Sequence, residues 1–112
     1  MKRIYIIIGV ALLLLASCTQ QRAKSVAKDF MTAYISDDAD YLDFSAVDST
    51  RAISDSLVQV LRQRGPKGAS YEERTSRTLY LLRAKYLLDD DTCSTTFYLD
   101  PQTMGVVACK DN

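Results

Sequence analysis

The sequence offers three cysteines and fourteen carboxylates as candidate catalytic or metal-binding groups, and it contains no histidine. Without an imidazole there is no histidine general base, no Ser-His-Asp triad and no histidine metal ligand. Cys93 and Cys109 lack the Cys-x-x-Cys spacing of thiol oxidoreductases. Gly65, Gly68 and Gly105 are too scattered to form a phosphate-binding loop. The residue types therefore argue against an enzyme, and they predict neither a cofactor nor a metal site.

The carboxylates include two short clusters, at residues 37–40 and 89–91. Carboxylate oxygens can bind Ca²⁺, but the glycine and the distal glutamate of an EF-hand loop are missing from both clusters. A carboxylate pair could act as general acid and base only if burial raised the pKa of one member. Such runs of aspartate are typical of solvated turns, and we interpret both clusters in that way.

The first eighteen residues combine a basic start, an apolar run and a cysteine. Lys2 and Arg3 precede the uncharged segment 4–16, whose length suits a signal peptide and is short for a membrane-spanning helix. The sequence then reads Leu15-Ala16-Ser17-Cys18, which resembles the lipobox of bacterial lipoproteins. This resemblance implies that the thiol of Cys18 is lipidated and that the chain is cleaved between Ser17 and Cys18. The alternative is an ordinary secretory signal with a chance cysteine.

A lipoprotein signal has consequences for domain organisation and location. It divides the chain into a signal peptide at 1–17, the lipidated cysteine and a short tether at 18–22, and one domain at 23–112. Two or three acyl chains hold a protein stably on a bilayer. Thr19 stands where aspartate would favour retention in the inner membrane, so we expect an outer-membrane location facing the periplasm. Without Lys2 and Arg3, 12 basic residues face 14 acidic ones, which excludes a strongly basic nucleic-acid binder.

Two helices are predicted before any strand. The first carries an apolar stripe at helical spacing, formed by Ala23, Val26, Ala27, Phe30, Met31 and Tyr34. The second is predicted from about Ser49 to Arg64, with Asp48 as its N-cap. Its expected buried stripe is Ile53, Leu57, Val60 and Leu61. Gly65 and Pro66 should end it, because glycine accepts a left-handed conformation and proline cannot continue a helix.

The period of the pattern changes in the second half. Residues 77–88 alternate as a half-buried strand does, although their Leu, Arg, Ala and Lys content leaves a helix open as the alternative. Two further strands are predicted at 93–99 and 104–109, joined by a type I turn at 100–103. The short segment 41–44 is expected to place two aromatic rings under the first helix. The predicted fold is α+β, with two N-terminal helices packed on one face of a three-stranded antiparallel meander.

This order of elements, with the hairpin Phe97–Val107, resembles the NTF2-like and cystatin-like folds of many small lipoproteins. In those folds a curved sheet wraps an N-terminal helix. The QxVxG loop by which cystatins inhibit proteases is missing, since Gln59-Val60-Leu61 lies within a predicted helix. The resemblance therefore implies a fold and not protease inhibition.

The last two cysteines lie on neighbouring predicted strands, and the register decides whether they meet. If Leu99 faces Thr103, Cys93 faces Cys109 and an oxidising periplasm favours a disulfide. If Leu99 faces Met104, the thiols point to opposite faces unless a bulge intervenes. We expect the disulfide, and the alternative is two reduced thiols in an apolar setting.

Three hypotheses for function follow. The first is a non-enzymatic binding or accessory module, which docks an envelope protein on the outer face of the sheet at Thr96, Tyr98, Val106 and Ala108. The second is a small-ligand pocket between the first helix and the sheet, lined by Phe30, Tyr34, Tyr86 and Phe97. The third is an inhibitor or immunity protein against a hydrolase that attacks the envelope. The expected partners are the membrane, through Cys18, and an envelope protein, with no nucleic acid.

Overall fold

The structure, a computed structural model, describes the backbone of residues 2–112 and the side chains of residues 18–112. Its elements are α1 (Lys2–Tyr34), β1 (Asp40–Phe44), β2 (Asp48–Thr50), α2 (Asp55–Arg64), β3 (Leu79–Leu88), β4 (Asp91–Leu99) and β5 (Val106–Asp111). The predicted α+β class is confirmed. The predicted signal peptide at 1–17, with its cleavage site at Ser17, lies outside the residues whose side chains the structure describes. In the described part of the chain, no helix combines the length and hydropathy needed to cross a membrane.

The sheet is antiparallel and has five strands, in the order β1-β3-β4-β5, with β2 also paired to β3. The predicted strand at 77–88 is confirmed as β3, and the three predicted strands form most of the sheet. The expectation of only three strands is wrong, because β1 pairs Phe44 with Ala84 and β2 pairs Ser49 with Tyr80. These two short strands bond the edge of β3 that β4 leaves free, so its backbone groups are satisfied there.

The second helix starts six residues later than predicted. Asp48 does not cap it; its carboxylate accepts from the amide of Ser49, 2.8 Å away, within β2. Ser54 is the N-cap, and its hydroxyl accepts from the amide of Leu57 at 3.2 Å. Pairing of residues 48–50 with β3 thus competes with the local helix signal and prevails.

The buried stripe of α2 also differs from the predicted one. Val58 and Leu61 are buried, whereas Leu57 and Val60 each remain 38% exposed. The later start does not change the helical period, so the difference lies in which side of α2 meets the sheet. That side is set by β5, against which α2 packs.

The two helices lie on opposite faces of the sheet, and the prediction that they share one face is wrong. The predicted stripe of α1 is confirmed: Ala23, Ala27, Phe30 and Met31 are buried against one face. On the other face, α2 forms a separate cluster of Val58, Leu61, Leu79, Tyr98, Val107 and Ala108. A register shift in β4·β5 at Tyr98/Leu99 places the consecutive residues Val107 and Ala108 in this same cluster, whereas a regular strand would turn them to opposite faces.

The start of the β5 edge is covered by the end of α2 and by the segment that follows it. The Nε of Arg62 donates to the carbonyl of Val107 at 2.9 Å, and the amide of Glu72 donates to the carbonyl of Val106 at 2.8 Å. A covered edge does not offer free backbone groups to another chain.

Gly65 ends α2, although not by the expected conformation. Its φ of −75° is in the ordinary extended region and not in the left-handed one. A Cβ at this position would lie 2.3 Å from the hydroxyl of Tyr71. Glycine is therefore required by a close approach, and Tyr71 is the residue that requires it.

The β4–β5 connection is organised by one buried carboxylate. Asp100 is fully buried, and it accepts from the amides of Gln102, Thr103 and Thr75 at 2.9, 3.2 and 2.5 Å. The hydroxyl of Thr75 donates to the same group. Burial alone would raise the pKa of Asp100, but these hydrogen bonds outweigh it and lower the pKa below its usual value. The carboxylate is therefore ionised and ties the turn to the segment before β3.

Candidate functional site

The space between α1 and the centre of the sheet is filled by side chains. Phe30 and Phe97 are buried there, with ring centroids 5.9 Å apart in an edge-to-face arrangement. These two residues of the predicted pocket therefore belong to the core. The other two, Tyr34 and Tyr86, line a cavity that begins where α1 ends.

This cavity has a volume of about 560 Å³, within the usual range for small-molecule sites. Three structural elements form its walls: the end of α1, the end of α2 with the turn after it, and the sheet. The lining residues are Tyr34 and Ile35; Leu61, Arg64, Gly65 and Pro66; and Tyr86, Leu88, Cys93, Thr95, Cys109, Lys110 and Asp111. Because α2 lies across the edge of β5, the cavity opens between the two helix ends.

A hydrogen-bonded row of side chains lies on the sheet side of the cavity. The hydroxyls of Tyr86 and Thr95 are 2.9 Å apart, and the hydroxyl of Thr95 donates to Asp111 at 3.3 Å. Burial raises the pKa of Tyr86, while its hydrogen bond with Thr95 acts in the opposite direction. The tyrosine is therefore a neutral phenol at neutral pH, in a fixed orientation. This row offers a ligand two neutral hydroxyl groups, those of Tyr86 and Thr95, and the carboxylate of Asp111.

The two cysteines line the same cavity, and the structure does not bond them. Cys109 lies opposite Phe97, and Cys93 lies opposite Tyr86; both thiols are free. The register places Leu99 opposite Val106, so neither register considered from the sequence is formed. The thiols share a face but are offset by four residues, about 13 Å along a strand, well beyond disulfide reach.

The two thiols also differ in exposure. Cys109 is 5% exposed, and burial raises the pKa of its thiol. Cys93 is half-buried, and its thiol lies 3.7 Å from the carbonyl of Asp91. The raised pKa of Cys109 is the opposite of the lowered pKa that activates a catalytic cysteine.

Tyr71 is a feature of the site that the sequence analysis missed. Its ring lies 5.6 Å from that of Phe30 and 5.4 Å from the guanidinium of Arg62. Its hydroxyl is buried beside Cys109 and has no well-formed hydrogen bond among the described residues. Burial raises the pKa of Tyr71 to about 12. An isolated aromatic residue in a predicted loop gives no sequence signal for this role.

The predicted tether is part of a helix. Residues 18–22 lie within α1, and Cys18 is exposed. Gln20 bonds the β1–β2 connection on both sides: its Nε2 donates to Ser45 at 2.8 Å, and its Oε1 accepts from the amide of Val47 at 2.7 Å. Gln20, two residues after Cys18, is therefore already fixed to the sheet.

One of the two acidic clusters has a clear conformational role. Asp89 and Asp90 form the turn between β3 and β4, with φ of 51° and 66°. Aspartate tolerates this left-handed region better than most residues do. The backbone thus explains these side chains.

The outer face proposed for protein docking is largely covered. Tyr98 and Ala108 are buried in the α2 cluster, and Thr96 is buried on the same side of β4. The prediction that Val106 lies on this face is wrong, because the register shift turns it into the α1 cluster on the other face. Comparison with protein-family models, with curated proteins and with solved structures finds no significant match for this chain.

Proposed function

We propose that this protein is a lipid-anchored, non-enzymatic binding protein of the bacterial cell envelope, which holds a small ligand in the cavity between its helix ends and the sheet. The observation that carries this proposal is the cavity itself, with apolar walls and one hydrogen-bonded row of polar groups. Docking of a protein on the outer face loses support, because α2 occupies that face.

The anchoring part of the proposal rests on the lipobox resemblance and on the position of Cys18. The residue is exposed, so its thiol is accessible for acylation. Sixteen residues of helix separate it from Tyr34, a rise of about 24 Å. The cavity therefore opens far from the anchor and would take its ligand from the aqueous side of the envelope.

The fold part of the proposal rests on element order. A long helix across an antiparallel sheet is compatible with an NTF2-like or cystatin-like arrangement. NTF2-like folds often hold a ligand between the helix and the sheet. Here the large core side chains would shift that site to the end of α1.

The lining indicates the chemistry of the ligand. Tyr34, Ile35 and Leu88 offer apolar surface, while Arg64 and Lys110 place two positive charges beside the one carboxylate of Asp111. A compound with an apolar body and an acidic group would match this lining.

The experiment is native mass spectrometry of the full-length protein after exposure to an extract of envelope small molecules. Cys93→Phe would fill the cavity, and Thr92→Phe is the matched control, since Thr92 is exposed and lies one residue away on the other face. We expect wild type and Thr92→Phe to retain a compound that Cys93→Phe releases. Equal retention by all three proteins, or no retained compound in wild type, would refute the cavity as the binding site.

A further inference from the structure

A second cavity lies on another part of the molecule and is rich in arginine. Its volume is about 550 Å³, and it separates the segment that leads into α2 from the segment that leads into β3. The lining residues are Arg51, Ala52, Ile53, Ser54, Asp55, Arg74, Thr75, Ser76 and Arg77. We name this cavity the arginine cleft. The lining contains three guanidinium groups and one carboxylate, so it carries a net charge of about +2 at neutral pH.

Arg74 builds the cleft by joining its two walls. On one wall its guanidinium donates to the backbone carbonyl of Ile53 at 2.6 Å. On the other wall it donates to the backbone carbonyls of Ser76 and Arg77 at 3.0 and 2.8 Å. It also contacts the carboxylate of Asp55 at 3.5 Å. Four of its five N–H groups are thereby used, and the side chain is 14% exposed. Arg74 fixes the spacing of the walls and has little capacity left for a ligand.

Arg51 and Arg77 are in the opposite situation. Both are exposed and stand on different walls, and among residues 18–112 no group accepts a hydrogen bond from either guanidinium or forms an ion pair with it. Two guanidinium groups without protein partners in the lining of one cleft are the donors that an oxyanion requires, because each can donate two parallel N–H groups. The amino terminus of α2 is not needed for this argument, since Ser54 already caps it.

We propose that the arginine cleft binds a phosphate group, held between Arg51 and Arg77. Hydroxyls of Ser54, Thr75 and Ser76 lie in the same lining and add neutral donors. Asp55 opposes the anion, so its removal should strengthen binding. The phosphate has two sources, a lipid headgroup or free phosphate.

The position of the cleft along the chain favours a lipid headgroup as the source of the phosphate. Gln20 fixes Val47, and β2 then runs directly to Arg51, so the cleft begins only four residues beyond the contact with α1. Gln20 itself is two residues from Cys18. Only this choice between sources depends on the proposed anchoring; phosphate binding by the cleft does not.

The test uses the full-length protein and inorganic phosphate, measured by calorimetry in micelles of a maltoside detergent, which contain no phosphate headgroup. We expect saturable binding that Arg51→Gln and Arg77→Gln each weaken by about tenfold, the usual effect of losing a charged hydrogen-bonding partner. Arg83→Gln is the control, because Arg83 is exposed on β3 outside the cleft. Asp55→Asn should bind phosphate more tightly than wild type. Thermal unfolding of each variant shows that it is folded.

A second arm repeats the titration in vesicles of phosphatidylglycerol. Loss of phosphate binding there, but not in micelles, would identify a headgroup as the occupant, whereas unchanged binding would identify free phosphate. Absence of saturable binding in micelles would overturn the proposal. An equal loss in Arg83→Gln would also overturn it, because it would show a general effect of charge. Neither result bears on the ligand cavity, which the Cys93→Phe experiment tests separately.

Discussion

Replacement of Asp100 by asparagine should strongly destabilise this protein, although it exchanges only one oxygen atom for an NH₂ group. The side chain is fully buried, and its two oxygens accept from three backbone amides and one hydroxyl. Asparagine keeps the shape but has one acceptor oxygen, and its NH₂ group would face a donor. At least one part-buried amide, either that of Thr75 or those of Gln102 and Thr103, would lose its partner.

The magnitude follows from those contacts. An unsatisfied buried donor costs about 1–3 kcal/mol, and hydrogen bonds to a charged acceptor contribute about 1.5–3 kcal/mol each. We therefore expect Asp100→Asn to lower the free energy of unfolding by about 3 kcal/mol. For a domain of this size, that corresponds to a fall in Tm of roughly 15 °C.

The assay is thermal and urea unfolding of the full-length protein in detergent, followed by circular dichroism. Asp40→Asn is the control, because Asp40 is exposed in β1 and should change stability by no more than about 0.5 kcal/mol. If both variants unfold at the same temperature, the hydrogen bonds of Asp100 do not contribute as argued.

The pH dependence gives an independent check. The pKa of Asp100 is lower in the folded protein than in the unfolded chain, so the unfolded chain takes up the proton first as the pH falls. The stabilisation is therefore complete above about pH 4, the ordinary value for aspartate, and is lost as the pH falls through the lowered folded value. The difference in stability between wild type and Asp100→Asn should be constant near neutrality and shrink below about pH 4. A difference that grows in acid would refute the reasoning.

Three further outcomes are expected from the Gly65, Tyr71 and cysteine contacts. Gly65→Ala should cost about 1–3 kcal/mol in urea unfolding, because its Cβ would meet the hydroxyl of Tyr71, and Tyr71→Phe should recover part of that loss; strictly additive losses would contradict the contact. A titration followed by tyrosinate absorbance should show a component near pH 12 that Tyr71→Phe removes. The contribution of Tyr71 to stability should be lost as the pH rises from about 10 to 12, because the unfolded chain loses that proton first. Maleimide should label Cys93 faster than Cys109, whose thiol is buried with a raised pKa, and equal rates in single-cysteine variants would contradict this order.

The parts of the fold that the sequence predicted are those with strong periodic patterns. The alternation in β3 and the stripe of α1 each place one set of side chains in the core, and both are confirmed. The second helix was predicted too long because Asp48 is a good local N-cap, whereas the decisive interaction is pairing with β3, thirty residues away. Local patterns do not contain that partner.

The candidate site was predicted only in part, because it too depends on contacts between segments that are distant in the sequence. Tyr34 and Tyr86 lie on the expected faces and reach the cavity, while Phe30 and Phe97 fill the core beside it. The cavity also depends on where α2 ends relative to β5. The sequence left that placement open, so it did not predict Arg64 or Thr95 as lining residues.

The pairing pattern has a consequence for how the chain would acquire its fold during the export that the proposed function requires. The main packing partners of α1, β1, β2 and α2 are β3 and β5, all of which lie in the second half of the sequence. A chain that emerges from a translocation channel amino terminus first would expose the apolar stripe of α1, with Phe30 and Met31, before its partner strands exist. Folding then starts from the β3–β4 hairpin, whose contacts are local, and is completed when β5 arrives. Until β5 arrives the apolar stripe of α1 stays incompletely covered and is open to aggregation, and a chain that ends before β5 leaves α2 without its partner.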